Sequence, residues 1–210
     1  MSYLQNIYLV KENILQIYTD GSHNSKRLGG IGILFIDKNE NEIEYSYNIT
    51  KKIIVKEINN LYLSKNYKDK NGIPANINFF IDHIELYAIF QALKKLELYK
   101  TNDKVIIYTD SDVAYLFINN INRTKNGEIK RIKHELSRKL TTLIQSMVIE
   151  SELDIEIRSV KSHSGIYGNV KVDKLAGVWR KQWDVSRHNN KSTAKNRTSE
   201  WEKNLISNKI

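Results

Sequence analysis

Apolar and polar positions alternate along much of the first fifty residues, and the alternation marks three strands. Ile14-Leu15-Gln16-Ile17-Tyr18-Thr19 is rich in β-branched and aromatic side chains and meets the turn-forming run Asp20-Gly21-Ser22. Gly29 to Ile36 predicts a second strand, whose glycines signal close backbone approach or a bulge. After the polar turn Asp37-Lys38-Asn39-Glu40-Asn41, Glu42 to Ile49 alternates as a third. Connections this short make the three an antiparallel meander.

The period then lengthens. Residues 51–81 read poorly, with a short helix expected over Lys56 to Leu63 and a polar loop over Lys65 to Gly72. Leu86, Ile89, Phe90, Leu93 and Leu96 recur at helical spacing behind Asp82, which is expected to cap that helix. Lys104 to Thr109 predicts a fourth strand, Ser111 to Asn120 a helix, and Glu128 to Ile149 a longer helix around Leu136, Leu140, Leu143 and Ile144. Leu153 to Val160 alternates as a fifth strand. Asn169 is expected to cap a last helix with Val172, Ala176, Trp179 and Trp183 on one stripe.

The order βββ-α-β-αα-β-α describes an α/β domain, a mixed sheet flanked by helices. Its β-α-β units require parallel pairing with right-handed crossovers. The expected organisation is an N-terminal extension over 1–13, one domain over 14–183 with an insertion at about 51–81, and a basic, flexible tail over 184–210. Beyond Asp184 the chain is polar and has no apolar period.

Composition narrows the function classes. A chain of 210 residues with 40% hydrophobic and 27% charged residues suits one globular domain. With no cysteine, disulfides and thiolate metal sites are excluded. No stretch approaches the ~18 apolar residues of a membrane span, and the N-terminus lacks a leader pattern, so a soluble intracellular protein, expected as a monomer, is the reading. The formal charge of +9 favours a polyanionic partner, nucleic acid being the commonest.

Four carboxylates stand where packing alone would not put them. Asp20 and Asp110 each follow Tyr-Thr at the end of a predicted strand, Glu85 lies among apolar residues in Ile84-Glu85-Leu86, and Asp173 lies in Val172-Asp173-Lys174-Leu175-Ala176. Acids at the ends of adjacent strands converge at the carboxyl edge of a sheet. Asp20 and Asp110 become neighbours if the first and fourth strands pair. Such a cluster repels itself unless cations fill it, and oxygen-only ligands suit Mg²⁺ with Mn²⁺ as a substitute. His163, in Lys161-Ser162-His163-Ser164-Gly165, is a candidate for proton transfer near neutral pH.

Taken in order, these motifs resemble a type 1 ribonuclease H. Tyr18-Thr19-Asp20-Gly21-Ser22, Ile84-Glu85-Leu86-Tyr87-Ala88, Tyr108-Thr109-Asp110-Ser111, Val160 to Gly165 and Asn169 to Ala176 carry the likeness over residues 14–183. The resemblance implies the ribonuclease H-like three-layer fold, with three antiparallel strands followed by two parallel ones. It also implies a two-metal endonuclease that cuts the RNA strand of an RNA/DNA hybrid and leaves 3′-hydroxyl and 5′-phosphate ends. Asp20, Glu85, Asp110 and Asp173 would then be metal ligands, and His163 would assist water activation or product release. The 2′-hydroxyl is the physical basis for choosing RNA over DNA.

Two features depart from the family pattern. Ile81, Asp82 and His83 stand where many members place an Asn or Gln that reads minor-groove hydroxyls, and the 51–81 segment enlarges the preceding gap. Ser22, Asn24 and Lys26 are candidate backbone contacts in place of those readers. The basic run from Arg123 to Lys139, seven Lys/Arg against two Glu, leads into the long helix and is expected as a duplex-backbone contact through Arg123, Lys125, Lys130, Arg131 and Lys133. The competing readings are a sheet nuclease acting on DNA, of resolvase or integrase type, and a weakly catalytic hybrid-binding module.

Overall fold

The computed structural model describes residues 13–23, 28–64, 72–73, 78–99, 101 and 103–189. Residues 1–180 form one unit, and residues 181–210 form a second, of which the helical backbone to Asn189 is described. Among its described residues the first unit holds five strands: β1 (Ile14–His23), β2 (Leu28–Ile36), β3 (Glu42–Thr50), β4 (Lys104–Thr109) and β5 (Ile155–Ser159). They lie side by side in the order β3-β2-β1-β4-β5. β1–β2 and β2–β3 are antiparallel, whereas β1–β4 and β4–β5 are parallel. This is the expected mixed sheet.

Among the described residues there are five helices, α1 (Lys51–Ser64), α2 (Ile81–Leu96), α3 (Asp112–Ile118), α4 (Glu135–Glu150) and α5 (Tyr167–Asn189), which flank the sheet as far as residue 180. α2 buries residues on every side, as a helix that is apolar all round must. Its Leu86, Ile89 and Leu93 join Leu136, Leu140 and Ile144 of α4 and Ile17, Ile31 and Ile107 of the sheet in one core. Each such side chain contributes about 1.5–3 kcal/mol on burial. α1 is longer than the expected Lys56–Leu63 helix and buries Ile54, Ile58 and Tyr62. Its Glu57 carboxylate accepts from Tyr87 Oη, from Gln91 Nε2 at 3.0 Å and from Lys94 Nζ at 2.5 Å. The first part of the insertion is thereby bolted to α2, the helix that carries Glu85.

Several boundaries differ from the sequence reading for identifiable reasons. β1 does not stop at Asp20 but runs on to His23, pairing Asp20 with Gly32 and Ser22 with Gly30. Gly30 and Gly32 lie under α5, where a Cβ on Gly32 would stand 2.9 Å from Ala176 N and closer still to Val172 O. Side-chain-free positions on β2 let α5 settle on the sheet, and Asp-Gly-Ser stays in the ladder instead of turning.

The basic run is not helical at its start. α4 begins at Glu135, and residues 121–134 form a loop closed by the Arg123–Ile129 bridge, with Gly127 at φ +81°. Thr124 N–H donates to Glu128 O at 2.8 Å and Lys130 N–H to Asn122 O at 2.7 Å. The helical period of Leu136, Leu140 and Leu143 does not reach back over Lys130-Arg131-Ile132-Lys133, where like charges crowd. Phe80, not Asp82, caps α2, and Asn169 lies inside α5, not at its cap. α5 also continues past 183 to Asn189. Residues 1–12, residues 65–71 of the expected 65–72 loop and the tail beyond 189 fall outside the described residues.

Candidate active site

Parallel pairing sets Thr19 beside Thr109, so the next residues, Asp20 and Asp110, are neighbours at the carboxyl end of two central strands. Glu85, one turn into α2, approaches the same point. The three carboxylates offer ligand atoms that all lie within 4.8 Å of one another. Asp20 and Glu85 are each only 7% exposed.

Gly21 makes the approach of α2 possible. A Cβ there would stand 2.9 Å from Ile84 Cγ2 and 3.1 Å from both Glu85 Cδ and Glu85 N. The Gly21 N–H donates to the Glu85 carboxylate. Asp110 is held from the other side, where Asn169 Nδ2 donates to its Oδ2 at 3.3 Å. Asn169 is buried, and this bond ties α5 to the end of β4.

The cluster is electrostatically frustrated. Burial, then the charges of Asp20 and Asp110, push the Glu85 carboxyl well above the ordinary carboxylate range. Glu85 Oε2 is buried and has no hydrogen-bond partner among the described residues. A buried unpaired oxygen beside two further acids is an unsatisfied acceptor, and a divalent cation answers both deficits at once. The donor set, all carboxylate oxygen, fits a hard cation such as Mg²⁺ or Mn²⁺.

The acids open into a cavity of about 410 Å³ that is also lined by Ser22, His23, Ile81, Asp82, Ser111, Ser162, His163 and Asp173. Asp173 is exposed and borders this cavity without joining the three-acid cluster. It lies two helical turns into α5, one turn further than expected. His163 is exposed at φ +54°, a region uncommon for a residue with a Cβ and recurrent at functional sites. Beside it, Ser162 Oγ donates to Asp110 O at 3.4 Å, so the His163 turn is tied to the acid cluster.

Of the expected backbone contacts, Ser22 is buried with its hydroxyl donating to Ala176 O at 2.7 Å. That hydroxyl serves the β1–α5 packing. Asn24 and Lys26 lie outside the described residues. Arg123, Lys125, Lys130, Arg131 and Lys133 are all exposed, on the 121–134 loop. Asp82 and His23 were not singled out as cavity residues. The overrun of β1 carries His23 to the rim, and the Phe80 cap frees Asp82 to face the cavity.

Residues 80–181 match the family model for RNase H. This chain carries an RNase H domain. Its enzyme class is that of a ribonuclease H, and the matched segment includes Glu85, Asp110, His163 and Asp173. Asp20 precedes the matched segment, and the β1–β4 pairing sets it beside Asp110. LC11-RNase H1, isolated from compost by a metagenomic approach, superposes with a TM-score of 0.55 at 17% identity, over 81% of this chain and 98% of its own. The LC11-RNase H1 complex with an RNA/DNA hybrid gives 0.54 at 15%, over 78% and 94%. A foamy viral protease-reverse transcriptase in complex with dsDNA gives 0.51 at 21%, over 80% and 94%. At such identities the likeness shows the fold alone, five strands and helices in one arrangement. No curated protein matches this chain. Among the described residues no helix is long and apolar enough to cross a membrane.

Proposed function

We propose that this RNase H domain hydrolyses the RNA strand of an RNA/DNA hybrid internally, with two divalent cations, leaving 3′-hydroxyl and 5′-phosphate ends. The observation that carries the reading is the Asp20–Glu85–Asp110 cluster, two of its acids buried and Glu85 Oε2 unpartnered among the described residues, beside a matched RNase H segment. Asp20, Glu85 and Asp110 would hold the cations, with Asp173 contributing from the open side of the cavity. When bound, two such ions supply a nucleophilic water near neutral pH and neutralise charge on the scissile phosphate.

The chain's own residues do the rest. Asn169 and the Gly21 N–H hold Asp110 and Glu85 in place. His163, on an exposed turn at the cavity mouth, takes or returns a proton at its imidazole as water adds and the 3′-oxygen leaves. The exposed cations of the 121–134 loop hold the phosphate backbone. RNA is preferred to DNA because its 2′-hydroxyl donates and accepts beside the scissile phosphate.

Substitution separates these roles. Asp110→Asn is expected to abolish hybrid cleavage while hybrid binding persists. His163→Ala should slow turnover by less, roughly the 10²–10⁴-fold range of a lost proton-transfer group at most. An Asp110→Asn variant that retains full activity removes Asp110 from the site.

A further inference from the structure

Between the acid cavity and the basic loop runs a strip of rings drawn from three elements. His23, at the end of β1, lies 5.9 Å from the ring of Phe79. Phe79 stacks on His83 at 5.6 Å, Phe80 lies 5.7 Å from His83, and Phe80 lies 4.8 Å from His134 at the cap of α4. His23 lines the cavity, and His134 directly follows Lys133 of the basic loop. The strip therefore joins the two places that the proposed reaction requires.

Its construction separates a rigid base from an open surface. His83 is buried, and its Nδ1 accepts from the Phe80 N–H at 3.0 Å, which fixes the backbone that carries Phe80. Phe80 itself is 39% exposed although it packs on both imidazoles, and Ile81 beside it is 40% exposed. Burying Phe80 would gain free energy for the fold, so a large aromatic left in the open next to a charged site needs another account. Aromatic faces stack on the unpaired bases of a single strand and pack on the sugars of a duplex without regard to sequence, and flanking cations hold the phosphates.

The geometry points to the His23–Phe79–Phe80–His134 strip as the stacking track of a nucleic-acid strand that reaches from the acid cavity to the basic loop, with Phe80 its principal contact. This inference rests on the nucleic-acid reading of the site and names a contact that the reading does not contain. Charge complementarity selects the occupant. Lys133, Arg131 and Lys130 at the far end favour a polyanion, and no apolar protein partner would require them.

The test measures binding apart from cleavage. Wild type, Phe80→Ala, Phe80→Trp and Leu98→Ala are titrated in chelator with RNA/DNA hybrid, duplex DNA and single-stranded RNA, and steady-state cleavage and Tm are measured in parallel. Phe80→Ala should weaken binding by about 5- to 30-fold, the loss of one stacked ring. KM should rise with kcat little changed and Tm preserved. Phe80→Trp should restore affinity, with its added fluorescence quenched at saturation. Leu98→Ala, which alters an exposed leucine beyond the far end of α2, should bind as wild type does. Phe80→Ala binding the preferred polynucleotide as tightly as wild type overturns the track. Wild type that binds hybrid but cleaves none refutes the hydrolytic reading alone, and wild type that binds no polynucleotide overturns both.

Discussion

Replacing His83 by Asn should flatten the acid side of the stability profile. His83 is only 1% exposed, and burial, followed by repulsion from His134, lowers its pKa from 6.5 to about 4. The folded protein therefore keeps this imidazole neutral, while the unfolded chain takes up a proton near pH 6.5. Stability from this group is fully present above about pH 6.5 and is lost as pH falls toward 4. A displacement from 6.5 to about 4 corresponds to about 3 kcal/mol in all. About 2 kcal/mol of this is gone by pH 5. For a domain of this size that is a fall in Tm of about 4–8 °C between pH 7 and pH 5. Asn offers an acceptor oxygen near the position of Nδ1, so the bond from Phe80 N–H is kept and the titration removed. The assay is thermal unfolding of both proteins from pH 7.5 to 4.5 in chelator, so that the carboxylate cluster titrates alike in both. The wild-type Tm should fall more steeply by that margin. Parallel slopes would refute the assignment of a buried neutral His83.

Three other outcomes follow from the packing and the acids. Gly32→Ala places a methyl against the α5 backbone at Val172 and Ala176. Overpacking of this kind costs about 1–3 kcal/mol, and Tm should fall by roughly 3–10 °C. Mn²⁺ or Mg²⁺ at about 100 times its dissociation constant should stabilise wild type by about 3 kcal/mol in thermal unfolding, a shift that Asp110→Asn loses. Asn169→Ala frees Asp110 Oδ2 and should lower metal affinity or turnover by about 10- to 100-fold, as loss of a ligand-orienting partner does elsewhere.

The succession of strands along the chain and three of the four acids expected to cluster were legible in the sequence because these rest on short-range signals, whereas Asp173 only borders the cavity. Alternation in 14–19, 29–36 and 42–49 gives the meander, and an acid within an apolar run, as in Ile84-Glu85-Leu86, has few structural explanations. What escaped depends on contacts between distant segments. Asp-Gly-Ser reads as a turn, yet β1 passes through it because β2 presents Gly30 and Gly32 to α5. The basic run reads as helix because apolar spacing after Leu136 extends backward on paper, while the Arg123–Ile129 bridge closes it into a loop. α1 was half seen, since its Glu57 anchor has meaning only beside Tyr87, Gln91 and Lys94. The ring strip was not visible at all, because its members come from β1, the entry to α2 and the cap of α4.

The most direct test of the account is cleavage of an RNA/DNA hybrid labelled separately on each strand, in Mg²⁺, by wild type and by Asp110→Asn. The account predicts internal cuts confined to the RNA strand, ending in 3′-hydroxyl and 5′-phosphate, and none with Asp110→Asn. Equal cutting of the DNA strand or of duplex DNA, or an intact hybrid with folded, metal-loaded protein, would contradict it.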